Sequence, residues 1–219
     1  MLLAAAAAGA MLYTQFCSSC HGTDLRGGPN APSIRGAGAA SVDFWVGTGR
    51  MPAAVPWLEE GHRNTQFTQD QIDALIAYVT SVAPGGEPIP RVDATGNAQS
   101  GRKLYEQNCQ HCHGVYGEGA SIGANEWAPG LHEASIVQVA EAIRIGPGQM
   151  PVFGEKQLDR AAMKDVVAYV WSLNGETAQQ AVPLRSSGPV PEGLFGWLAV
   201  ALLSVFAFAY SRGARPKPP

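Results

Sequence analysis

Two pentapeptides of the form Cys-x-x-Cys-His carry the chemistry of this chain, Cys17-Ser18-Ser19-Cys20-His21 and Cys109-Gln110-His111-Cys112-His113. Two thiols about one helical turn apart can add across the two vinyl groups of one porphyrin. The histidine that follows then offers its imidazole to the iron from the proximal side. The pattern points to two covalently bound haem c groups, one at each motif. All 4 cysteines fall in these motifs, which leaves none for a disulfide or a nucleophile. A redox dithiol would open a helix in a strand–helix–strand pattern, and no convincing strands are evident. A zinc ribbon would bring both pairs onto one metal. Here they lie 92 residues apart, each with its own histidine and downstream methionine. Electron transfer is the chemistry these residues imply.

The sixth iron ligand separates a carrier from a catalyst. A thioether favours ferrous iron and raises the potential, whereas an open position admits peroxide or oxygen. Met51 and Met150 are the candidates, in Gly47-Thr48-Gly49-Arg50-Met51-Pro52 and Gly146-Pro147-Gly148-Gln149-Met150-Pro151. The glycines allow close backbone approach and the proline stiffens the turn. Met11 and Met163 lie on helical patterns among apolar neighbours and read as core fillers. His62 and His132 have no counterpart in the other half, and His111 is expected to face solvent. The expected metal ligands are therefore His21, Met51, His113 and Met150, which leaves no vacant position for peroxidase chemistry.

The elements that must hold these groups occur twice. Gly9, Leu12, Tyr13 and Gln15 precede the first motif as Gly101, Leu104, Tyr105 and Gln107 precede the second. The methionine loops match, and Ala77-Tyr78-Val79 matches Ala168-Tyr169-Val170. Three blocks in one order describe a tandem duplication. Each unit is small for a self-sufficient core, and a haem would serve as that core. Ile72, Leu75, Ile76 and Val79 follow helical spacing, as do Met163, Val166, Val167 and Val170. Thr68 and Gln71 are placed for a capping box. The expected fold is all-α, two tandem class I cytochrome c domains followed by a C-terminal transmembrane helix. The expected boundaries are 1–8 for a residual leader or anchor, 9–83 for domain 1, 84–97 for a proline-rich linker and 98–174 for domain 2. A second linker over 175–193, a transmembrane helix over 194–211 and a basic tail over 212–219 complete the chain.

Residues 194–210 contain no charge, carry Trp197 and Tyr210 near their ends and precede Arg212, Arg215 and Lys217. That pattern predicts a membrane span with the C-terminus cytoplasmic and the haem domains outside. Residues 1–12 are apolar and alanine-rich but lack the basic start of a signal peptide. They fit either a truncated start or the end of a signal or anchor segment running into the first haem helix. Residues 1–193 hold 12 Lys+Arg against 18 Asp+Glu. Such a surface does not suit nucleic acid.

The two haem motifs, the expected C-terminal anchor and the stretch Val42-Asp43-Phe44-Trp45-Val46-Gly47-Thr48-Gly49-Arg50-Met51-Pro52 resemble one family. It is the dihaem cytochrome c subunit (cytochrome cc) of actinobacterial cytochrome bc complexes, the menaquinol–cytochrome c reductases. The resemblance covers the chain from about Gly9 to Arg215. It implies partnership with cytochrome b, a Rieske iron–sulfur protein, the copper-centre subunit of a cytochrome oxidase, and membrane lipid. It further implies that the haem at Cys17/Cys20 receives electrons from the Rieske protein and the haem at Cys109/Cys112 delivers them. The alternatives are a free-standing anchored dihaem shuttle for another oxidase or dehydrogenase, and a dihaem peroxidase.

Overall fold

The computed structural model describes residues 2–54, 63–123, 126–174 and 189–213. His62 and most of the second linker lie outside them. The chain divides into two units, residues 1–175 and 176–219, and the first holds both repeats.

Each repeat is framed by two packed helices. Helix α1 (Leu2–Phe16) packs against α4 (Gln69–Val82), and α5 (Ala98–Asn108) against α8 (Arg160–Leu173). Of the residues expected as a leader, 2–8 belong to α1. The repeated glycine permits the packing, because a Cβ on Gly9 would overlap the Ala74 carbonyl and one on Gly101 the Asp165 carbonyl. Beside each glycine a tyrosine pair seals the contact. Tyr13 and Tyr78 have ring centroids 5.3 Å apart, and Tyr105 and Tyr169 5.2 Å apart.

Single turns α2 (Ser18–His21) and α6 (Gln110–His113) carry the haem motifs. Helices α3 (Gly38–Gly47) and α7 (Ile136–Ile145) lead into the methionine loops. Thr68 and Gln71 form the expected capping box of α4, and Ser135 and Gln138 form another on α7. Ile72, Leu75 and Val79 are buried in the first core, with Ile76 packed at its edge. Met163, Val166, Val167 and Val170 are buried in the second. Met11 departs from its expected place: it is 70% exposed, because α1 turns Tyr13 inward instead.

The all-α expectation is corrected by a small hairpin after the second motif. Strand β1 (Ala120–Gly123) pairs antiparallel with β2 (Glu126–Ala128), Ser121 opposite Trp127. Gly117 and Gly119 have positive φ and turn the chain into it. With only Ala128 buried, the ribbon is a surface feature too short to leave an alternating pattern.

Residues 84–97 are pinned at both ends. Ala40 of α3 donates its amide to Glu87 O at 3.0 Å. At the other end Lys164 meets Asp93 at 3.0 Å, and the Asn97 amide donates to Asp165 Oδ1 at 2.7 Å. Gly38, at φ +81, has Glu87 backbone where a Cβ would be. The linker is a strap, which its prolines alone did not reveal.

The expected transmembrane helix is also corrected. Residues 194–210 fall within α9 (Pro189–Gly213), yet among the described residues no helix is long and apolar enough to cross a membrane. The membrane localisation and the inside–outside assignment of tail and haem domains rested on that span and fall with it.

Candidate haem sites

Each motif histidine is held by one backbone carbonyl. His21 Nδ1 lies 2.9 Å from Pro32 O, and His113 Nδ1 lies 3.0 Å from Pro129 O. A carbonyl only accepts, so Nδ1 carries the hydrogen, and in the neutral ring the lone pair is on Nε2. That is the tautomer a metal needs, oriented by a partner outside the ligand set. Burial lowers the His113 pKa and so favours the neutral ring, and the Pro129 hydrogen bond partly opposes it. The carbonyl acceptors were not visible as a motif. Both prolines follow the haem turn in the loop that closes back over it, and proline supplies a carbonyl on a stiff backbone.

The loops are tied to the histidines as well. Gly27 N donates to His21 O and Gly119 N to His113 O, both at 2.8 Å. The repeated tyrosines complete the cradle: Tyr13 OH donates to Gly22 O at 2.7 Å and Tyr105 OH to Gly114 O at 2.8 Å. Burial, then the neighbouring cysteine thiol, raises both phenol pKa values, so each hydroxyl stays a donor. All four cysteines are free of disulfides. Before a haem is attached, burial, then the second thiol of the pair, pushes the Cys17 and Cys109 thiols up to about 11.

Cys17 and Met51 lie at the rim of the first core, and Cys109 and Met150 at the rim of the second. An apolar crevice beside Cys109 is walled by Leu104, Ile143, Phe153, Leu158 and Val166. A cysteine and a thioether at one apolar rim, with the histidine of the same motif in the metal-ready tautomer, fit a covalently attached haem. His111 and His132 are exposed and stand apart from these rims. Among the described residues no group of three or more His, Cys, Asp or Glu converges as a metal cluster.

The methionine loops are secured differently. In the first, Met51 N donates to Trp45 O at 2.9 Å, and Arg63 donates through Nε and Nη2 to Gly49 O at 3.2 and 3.1 Å. In the second, buried Arg144 donates through Nη1 to Phe153 O at 2.6 Å and Leu158 O at 2.8 Å. These arginines were missed from sequence because they occupy non-equivalent positions and bind carbonyls, which leave no side-chain signature.

Residues 6–83 match the model of the cytochrome c family, and residues 96–170 match that of cytochrome c oxidase, cbb3-type, subunit III. The cytochrome bc1 complex cytochrome c subunit of Mycobacterium leprae is 34% identical over 216 residues, covering 94% of this chain and 74% of that one. The subunit of the same name from Corynebacterium efficiens is 30% identical, covering 95% and 76%. The chain belongs to the cytochrome bc1 complex cytochrome c subunit family. The CcoP subunit of the cbb3-type oxidase of an Azospirillum species is more distant, 28% identical over 78% of this chain and 63% of its own length. Membership makes this chain a respiratory electron-transfer subunit with two cytochrome c domains and two covalently bound haem c groups.

Proposed function

We propose that this chain works inside a cytochrome bc1 complex, accepting electrons at its first domain from a Rieske iron–sulfur protein and passing them from its second domain to the copper-centre subunit of a cytochrome oxidase. Cytochrome b is the other partner of this reading. The observation that carries it is the duplicated cradle, a histidine fixed by a proline carbonyl beside a cysteine–methionine apolar rim, in a chain of this family. Each bound haem c supplies reversible one-electron chemistry at iron. The chain would hold these groups through Cys17, Cys20, Cys109 and Cys112, with His21 and His113 as the proximal iron ligands and Met51 and Met150 as the other ligands. The strap over residues 84–97 keeps donor and acceptor domains in one unit, replacing a diffusional encounter with a high effective concentration.

Affinity purification of the tagged chain from detergent-solubilised cells tests the partners. Cytochrome b, a Rieske protein and oxidase subunits are expected together, with quinol-dependent oxygen uptake that needs no added cytochrome c. A chain that elutes alone would end the partner assignment and leave the haems untouched. A second reading, delivery to a cbb3-class oxidase, is supported by the subunit III match over residues 96–170, and recovery of that oxidase without cytochrome b would favour it.

The ligand assignment has its own test. Met51→Ala and Met150→Ala should each remove about half of the red-edge methionine–iron charge-transfer band and lower one potential by on the order of 0.1 V, well inside the range axial ligation commands. A full-strength band in either variant removes that methionine from the ligand set.

A further inference from the structure

Helix α7 carries an acid where a core residue belongs. Glu141 is 1% exposed, and among the described residues neither of its carboxylate oxygens has a hydrogen-bond partner. It faces α3, the helix of the first domain that α7 touches. The group opposite is Asp43, itself half-buried. Two ionised carboxylates offer only acceptors and repel in a dry seam. One proton turns one of them into a donor and the repulsion into a hydrogen bond. Burial first, then the charge of Asp43, pushes the Glu141 carboxyl from the ordinary 4.5 up to about 9.

Among the described residues no cation offsets burial and Asp43 at Glu141; Arg50, buried just past α3, has its guanidinium 5.0 Å from the Phe44 ring centre, and Arg144 Nη2 lies 3.8 Å from Glu155. Arg144, one turn along α7, spends Nη1 on the Phe153 and Leu158 carbonyls. Helix α8, also packed on α7, carries Arg160, Lys164 and Asp165. Arg160 is exposed, Lys164 is paired with Asp93, and Asp165 accepts the Asn97 amide.

We infer that Asp43 and Glu141 share one proton across the seam between the two haem domains, and that this proton holds α3 against α7. Its release to solvent in alkaline solution leaves two facing carboxylates and opens the seam. Because α3 leads into the Met51 loop and α7 into the Met150 loop, the shared proton ties together the elements that precede both proposed sixth ligands. The inference concerns the seam and stands whether or not those methionines ligate. In the window from 4.5 to about 9 the folded chain keeps a proton that unfolded Glu141 has released. The contribution to stability therefore falls as pH rises through that window and is flat above it.

The test uses the full chain with both haems. Infrared spectra should show a neutral-carboxyl stretch at pH 7 that titrates away near pH 9 and is absent in Glu141→Gln. Asp43→Asn should move that midpoint down by about one unit or more, because a charge has been removed. Hydrogen exchange, corrected for intrinsic rate, should show α3 and α7 losing about tenfold protection between pH 7 and pH 10 in the native chain and none in Glu141→Gln. A native chain with no titrating neutral carboxyl, or one whose seam protection follows pH no differently from the glutamine variant, overturns the inference. If Glu141→Gln fails to fold, an unmoved midpoint in Asp43→Asn overturns it alone.

Discussion

Gly101→Ala should destabilise the second haem domain by about 3 kcal/mol or more, although alanine is the better helix former by about 0.8–1 kcal/mol. In an isolated helix α5 the substitution would stabilise. In the folded domain the added Cβ overlaps the Asp165 carbonyl and crowds Tyr169. The obstacle is helix backbone, which cannot rotate away as a side chain can. Ordinary overpacking costs about 1–3 kcal/mol and more where backbone must shift. Separating α5 from α8 also disturbs the Tyr105–Tyr169 pair and the Asn97–Asp165 hydrogen bond. Denaturant titration of the haem-loaded chain measures the loss, with Ser100→Ala at the exposed neighbour as a control near zero. A Gly101→Ala chain as stable as the native one would mean that the helices do not pack at this glycine.

Arg144→Met should loosen the loop that follows Met150 by about 3 kcal/mol while leaving the first domain intact. Methionine keeps most of the apolar stem but removes the two donations that hold the Phe153 and Leu158 carbonyls, at 2.6 and 2.8 Å. Hydrogen bonds from a charged donor are worth about 1.5–3 kcal/mol each, and the Leu158 bond is buried. The Glu155 contact at 3.8 Å, with that carboxylate 67% exposed, adds little. Hydrogen exchange at the Phe153 amide, which donates to Ile143 O at 2.9 Å, reads the loop without reference to any ligand. Exchange there should rise about a hundredfold, as a 3 kcal/mol local opening requires. An unchanged Phe153 amide would show that the loop is held by packing alone.

The chemistry was legible because thioether attachment demands a short, rigid spacing that side-chain identity alone records. The motifs at Cys17 and Cys109, the duplication, and the buried faces of α4 and α8 were written in residue types at helical intervals. The repeated Gly9, Tyr13, Gly101 and Tyr105 were visible as matches, but their reason was not. It lies in backbone carbonyls of helices some 65 residues away in sequence, Ala74 and Asp165, and in loop carbonyls at Gly22 and Gly114. Carbonyls are common to every residue, so partners such as Pro32, Pro129, Phe153 and Leu158 leave no trace in composition or periodicity. The hairpin at 120–128 escaped notice because a short exposed ribbon needs no apolar alternation. The uncharged run at 194–210 pointed to a span, and among the described residues no helix is long and apolar enough to make one.

What the sequence determined by itself was therefore the haem chemistry, its duplication and the kinship. Those depend on which side chains occur at which short intervals. The tertiary structure alone decided which carbonyl orients each histidine and which arginine closes each methionine loop. It also decided that Asp43 of one domain meets Glu141 of the other. Those choices join residues far apart in the chain through groups whose effect depends on distance and burial, and one-dimensional order contains neither.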